Sequence, residues 1–97
     1  MNKSDKLHLS RVAALGCILC HHIHGEHDPA QVEIHHVRAG HGMGQRAGHR
    51  EAIPLCIEHH RGKMGLHGMG TRAFSAHYGV DEMTLLDDVR RRLRVHF

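Results

Sequence analysis

Fourteen histidines and three cysteines in a chain of 97 residues are the side chains most able to do chemistry here. The cysteines are not scattered. Cys17 and Cys20 form one Cys-x-x-Cys step, and Cys56 opens a Cys-x-x-His step that closes on His59. Two residues between ligands let a tight turn aim both side chains at one ion, and tetrahedral zinc takes four such donors. Buried cysteines also serve as small apolar residues, but a pair of steps that uses every Cys in the chain points to structural zinc on Cys17, Cys20, Cys56 and a histidine. His59 has the spacing for the fourth position. His21, His22, His24 and His27 lie close to the first step and are the alternatives. Such a staple would join two segments far apart in sequence and supply several kcal/mol of folding free energy.

A second constellation is His35-His36. Neighbouring residues on a strand point to opposite faces, so an ideal strand cannot bring both to one ion. At a strand end or bulge, one can ligate a metal while the other addresses a water. On a helix after Cys56, His60 lies about 100° round from His59 and is free for a different centre. His67, seven residues further on in a loop, can join it.

The elements that must position these groups follow from the pattern. Residues 4–15 read as a helix with Ser4 as N-cap, stopped at Gly16. Residues 17–29 are turn-rich and end at Pro29. Residues 31–38 alternate Val32, Ile34, His36 and Arg38 against Glu33, His35 and Val37, the pattern of a strand. Gly40, Gly42, Gly44 and Gly48 then exclude regular structure, and residues 51–56 form a second strand in which Pro54 marks an end or an edge. The two strands can pair as a hairpin with the helix after Cys56 packed on it. Residues 65–70 read as loop, 71–78 as a short helix closed by Gly79, and Asp81 caps a last helix. In that helix Met83, Leu86, Val89 and Leu93 would face the core, with Arg90, Arg91, Arg92 and Arg94 on a solvated face.

Composition narrows the function. With Phe74, Phe97 and Tyr78 as the whole aromatic complement, a stacking platform for single strands is excluded. No apolar run approaches the ~20 residues of a membrane span and no signal-peptide core follows Met1, so the expected location is cytoplasmic, without a membrane partner. An odd, low Cys count in such a chain argues against a disulfide framework. A net charge of +3 and a pI near 9.1 suit a polyanion. The Gly40–Gly44 run lacks the GxGxxG spacing and the GK[ST] ending of nucleotide loops. The irregularly spaced methionines are gap-filling residues.

A hairpin with a His dyad followed by a helix with another His resembles the ββα-metal, or HNH, nuclease motif, whose common form ends in PLC-x-x-CH; here Pro54-Leu55-Cys56-Ile57-Glu58-His59-His60 stands in its place. More narrowly, residues 34–70 followed by AFSAHYGVDEMTLL resemble phage and prophage nucleases of the Ref type, which enhance recombination by cutting DNA. The resemblance covers about residues 17–87. It implies an α+β fold: residues 1–97 as a single HNH domain, with an N-terminal helix in 1–16, a zinc-stapled ββα-metal core in 17–67, and C-terminal helices in 71–97. It also implies that His35 and His60 hold a catalytic divalent ion, magnesium or manganese, beside the structural zinc. His36 matches the general base that takes a proton from the attacking water, and a neutral imidazole is competent for that near its ordinary pKa of about 6.5. His49 stands where the central Asn usually falls and would orient His36 or support the loop. His67 resembles an additional active-site histidine of the narrower family. His35 replaces the Asp of many HNH enzymes, which softens the site toward zinc, nickel or cobalt.

Beside such a site Arg38, Arg46, Arg50, Arg61 and Lys63 would neutralise backbone phosphates. The implied partners are DNA and a recombinase filament, in a bacterial or phage-infected cell. The reading from another class is a non-catalytic zinc module that binds nucleic acid through the same knuckles and arginines and leaves His35, His36 and His60 without a task.

Overall fold

The computed structural model describes residues 2–25, 31–37 and 48–96. It is a small α+β arrangement: helices α1 (Lys3–Ala14) and α2 (Ile18–His24), strands β1 (Val32–His36) and β2 (Ala52–Cys56), then α3 (Ile57–Arg61), α4 (Leu66–Met69), α5 (Thr71–Tyr78) and α6 (Glu82–His96). No described helix is long and apolar enough to cross a membrane.

The strands pair antiparallel with Val32 opposite Cys56, Ile34 opposite Pro54, His35 opposite Ile53 and His36 opposite Ala52. Directly opposed residues share a face, so Glu33 and His35 lie with Leu55 and Ile53, while His36 lies with Ala52. Pro54 is tolerated mid-strand because each strand of a two-stranded sheet has an outer edge. Residues 52–55 are buried throughout, since α1, α2, α3 and α6 all pack on β2. The core gathers Val12, Ile18, Leu19, Ile53, Leu55, Phe74, Leu85, Leu86 and Val89 around that strand.

Several sequence expectations change. The N-cap of α1 is Asn2, not Ser4: Asp5 N donates to Asn2 Oδ1 at 2.8 Å, and the Ser4 hydroxyl is turned to Arg50 instead. Residues 18–24, read as turns because of their histidines, form α2, since Ile18 and Leu19 bury completely on one side and Cys17 caps the start with its sulphur. Residues 66–69 form the short α4 rather than loop, so His67 sits on a helix. In α6 Asp81 Oδ1 accepts from Thr84 N at 2.8 Å, as a cap should. The buried face, however, includes Leu85 and Glu82, and Met83 is 40% exposed. Arg38, Arg46 and His27, with the glycine run 40–44, lie outside the described residues.

The α3–α4 turn is held by close backbone approach. A Cβ on Gly68 would collide with the carbonyl of Gly62, and one on Gly65 with that of Glu58. The absence of a side chain at these positions lets α4 lie against α3 and sets where His67 stands relative to His60. Gly68→Ala is therefore expected to cost about 2 kcal/mol and lower the thermal midpoint by roughly 10 °C, measured by circular dichroism; an unchanged midpoint would show that the turn can relax.

Candidate metal centres

The first cluster forms where α2 begins and β2 passes into α3. Cys17, Cys20, Cys56 and His59 bring one donor atom each to within 4.8 Å of the others. His59 Nδ1 stands 3.6 Å from Cys17 Sγ, 3.5 Å from Cys20 Sγ and 3.4 Å from Cys56 Sγ. A tetrahedral zinc with ordinary Zn–S and Zn–N bonds separates sulphur from nitrogen by about 3.6 Å, so the donor set fits that ion. Chemistry points the same way. Burial, reinforced by the neighbouring Cys17 and Cys56, pushes the Cys20 thiol up to about 12. Burial likewise raises Cys17. Three crowded sulphurs cannot ionise together unless a cation sits among them. His59 is shifted below the ordinary histidine range, chiefly by burial, and so offers a neutral ring. The Tyr78 ring meets the His59 ring edge-on at 5.5 Å, and the Tyr78 hydroxyl donates to the Met64 carbonyl at 2.6 Å, fixing that contact.

Of the alternative fourth donors, His21 turns away, its Nε2 donating to the Leu15 carbonyl at 2.7 Å, while His22 and His24 are exposed. His59 and His60 separate round α3 as helical geometry demands. His59 joins the sulphurs and His60 joins a second group.

That second group is His35, His60 and His67, with donor atoms within 4.8 Å of one another. The Nε2 atoms of His60 and His67 are 3.1 Å apart. Their rings lie 4.7 Å apart, and the His35 ring lies 5.4 Å from His60 and 5.3 Å from His67. His67 is held below the usual histidine range by burial and then by the two neighbouring imidazoles. Two carboxylates set the rings. His60 Nδ1 donates to Glu33 Oε1 at 2.8 Å, which leaves its Nε2 lone pair facing His67. His35 Nε2 donates to Glu82 Oε2 at 2.9 Å, with both side chains almost wholly buried. Arg61, and then His60, hold the Glu33 carboxyl below its usual range, so Glu33 is an anion. A carboxylate behind a ligating imidazole fixes its tautomer and strengthens it as a donor.

His36, the last residue of β1, turns to the opposite face, where its Nε2 lies 3.1 Å from His49 Nδ1. Burial, then His49 and His35, lower its pKa. Arg61 is spent on Glu33 at 3.0 Å, and Lys63 is exposed. Arg50 is tied to α1, donating to Ser4 Oγ at 2.8 Å and to His8 Nδ1 at 3.1 Å.

A family model described as "Recombination enhancement, RecA-dependent nuclease" matches residues 3–93. The chain belongs to that family. No curated protein and no solved structure matches it. In this member of the RecA-dependent nuclease family, the matched span contains both clusters and the carboxylates behind them. Sequence reasoning missed those carboxylates. Glu33 had a signal, since it alternates onto the face of His35. Glu82 had none, because α6 brings it in from 47 residues away.

Two outcomes are expected. Cys17→Ser should lose tightly bound zinc, counted by elemental analysis, together with the cooperative unfolding transition; a stably folded, zinc-loaded variant would contradict the staple. Glu82→Gln keeps the shape but not the charge, and should weaken manganese binding about 10–100-fold in calorimetric titration while zinc content stays unchanged.

Proposed function

We propose that the chain is a metal-dependent HNH endonuclease that hydrolyses DNA phosphodiester bonds, with a structural zinc on Cys17, Cys20, Cys56 and His59. The observation that carries this reading is the convergence of His35, His60 and His67 on one side of β1 while the adjacent His36, on the other side, meets His49. A zinc module that only binds nucleic acid has no use for a second donor set backed by two carboxylates.

A magnesium or manganese ion held by His35, His60 and His67 would neutralise charge on the scissile phosphate and on the departing 3′ oxygen. The chain's own residues do the rest. His36 serves as general base. Its Nε2 meets His49 Nδ1 at 3.1 Å; in the tautomer that places the shared proton on His36 Nε2, the free lone pair lies on Nδ1, and that atom takes the proton from the attacking water. Burial keeps the ring neutral and therefore able to accept it. His49 is a positioning residue that fixes the His36 tautomer. Glu33 and Glu82 take up His60 Nδ1 and His35 Nε2, which leaves His60 Nε2 and His35 Nδ1 as the nitrogens able to ligate. Arg38, Arg46, Arg50 and Lys63 supply positive charge toward the phosphate backbone. The likeness to nucleases of recombination enhancement supports DNA as substrate and a recombinase filament as partner.

The test is nicking of supercoiled plasmid at low salt with magnesium or manganese, repeated on recombinase-coated DNA. Wild type should nick at least one of these substrates, and His36→Ala should lose about a hundredfold or more in rate with its zinc and fold intact. Equal cutting by the variant would remove His36 from its role, and silence of wild type on both substrates would favour the binding module.

A further inference from the structure

Away from both metal centres, a cleft of about 630 Å³ opens between α1 and α6, lined by His8, Arg11, Arg50, Arg90, Leu93 and Arg94. Four guanidinium groups from three separate chain segments thus face one space. Among the described residues no carboxylate pairs with Arg50, Arg90 or Arg94, whereas Arg91 and Arg92 on the same helix both pair with Asp88. The arginine run of α6 therefore divides into a neutralised half and an open half. Asp5 acts electrostatically on His8, opposed by Arg50, Arg11 and Arg90. Arg50 is oriented in advance. Its two hydrogen bonds to Ser4 and His8 hold the side chain across α1, and its other N–H donors remain available.

We propose that this cleft is a second contact for the phosphate backbone of duplex DNA, separate from the metal centres and built by Arg50, Arg90 and Arg94 with Arg11 behind them. The inference rests on the nuclease reading for its choice of polyanion. Guanidinium forks match phosphate oxygens in pairs, and Arg50, Arg90 and Arg94, which pair with no carboxylate among the described residues, repel one another until an anion arrives. No aromatic ring lines the cleft, so nothing there can stack a base; the chemistry is that of phosphate alone. Arg50, on the wall of the cleft, directly follows His49, the residue that meets His36. Such contacts fix register and orientation without reading sequence.

The experiment is fluorescence anisotropy with a labelled duplex of about 20 base pairs, without added magnesium or manganese, over a range of salt. Wild type is compared with Arg90→Gln/Arg94→Gln and with a charge-matched control, Arg72→Gln/Arg91→Gln. Because each phosphate contact contributes about 0.9 to the slope of log affinity against log salt, the cleft variant should lose about 1.8 in slope and the control should keep the wild-type slope. Arg94→Gln alone, at an exposed position, should lose about half as much and guards against misfolding of the double variant. Equal slopes in all proteins, an equal loss in the control, or no binding by wild type would each overturn the proposal. A cleft that instead serves an acidic protein surface would leave duplex binding untouched by the substitutions, and that result overturns it as well. The nuclease reading fails separately, if wild type binds duplex through the cleft yet cuts neither naked nor recombinase-coated plasmid.

Discussion

The junction of β2 and α3 is the point on which the molecule depends. Cys56 ends the strand, and the first turn of the helix carries His59 and His60 side by side in sequence but well apart in direction. His59 Nδ1 meets three sulphurs, two of which come from the start of α2, some forty residues earlier. Bringing them together closes a long loop and crowds groups whose ionised forms repel. A divalent cation held there would offset both costs and fix α2 against β2. It would fix the orientation of α3 at the same time. His60 can then point only toward the face of β1 that bears Glu33 and His35.

That dependence explains why the site needs so little covering structure. A core with one large aromatic residue, Phe74, gives limited burial in a chain this short. The precision of the histidine group is instead supplied by local devices. Glu33 reaches His60 across the sheet–helix contact, and Glu82 reaches His35 from the first turn of α6, where the helix dipole favours a negative side chain. The bare backbone at Gly65 and Gly68 lets α4 settle close enough for His67 to complete the group. Burying Glu82 would be unfavourable in an apolar core, and the imidazole it faces is what makes the position tolerable.

Much of this was legible in the sequence, for one reason. Metal-ligand spacing is a local property, so Cys17-x-x-Cys20 and Cys56-x-x-His59 announced the first cluster, and the different directions of His59 and His60 followed from helical geometry alone. The strands, α5 and the Asp81 cap also obeyed local rules. Periodicity failed where side chains served two purposes. Residues 18–24 carry polar histidines on a helix whose buried apolar residues are Ile18 and Leu19, so composition read as turns. Asn2 displaced Ser4 as cap because Arg50 claims the Ser4 hydroxyl, a contact 46 residues long. Met83 lost its core place to Leu85 because Glu82 must turn inward toward His35. Such exchanges are decided by tertiary partners that no window along the chain contains.

The alternation of β1 finally divides the labour of the chain. One face gathers His35 with anions, Glu33 and Glu82, which suits a centre meant to hold a cation firmly. The other carries His36, whose ring meets His49 and no carboxylate among the interactions that shift it. On the first face an imidazole is drawn toward protonation by the carboxylates, whereas His36, at the last residue of the strand, is held below the usual histidine range by burial and by His49 and His35. The next residue after its partner, Arg50, already belongs to positive surface. The carboxylate-backed histidine group and the His36–His49 pair are thus kept apart by the alternation of β1, and the two-residue His35-His36 step is the shortest sequence that can serve both.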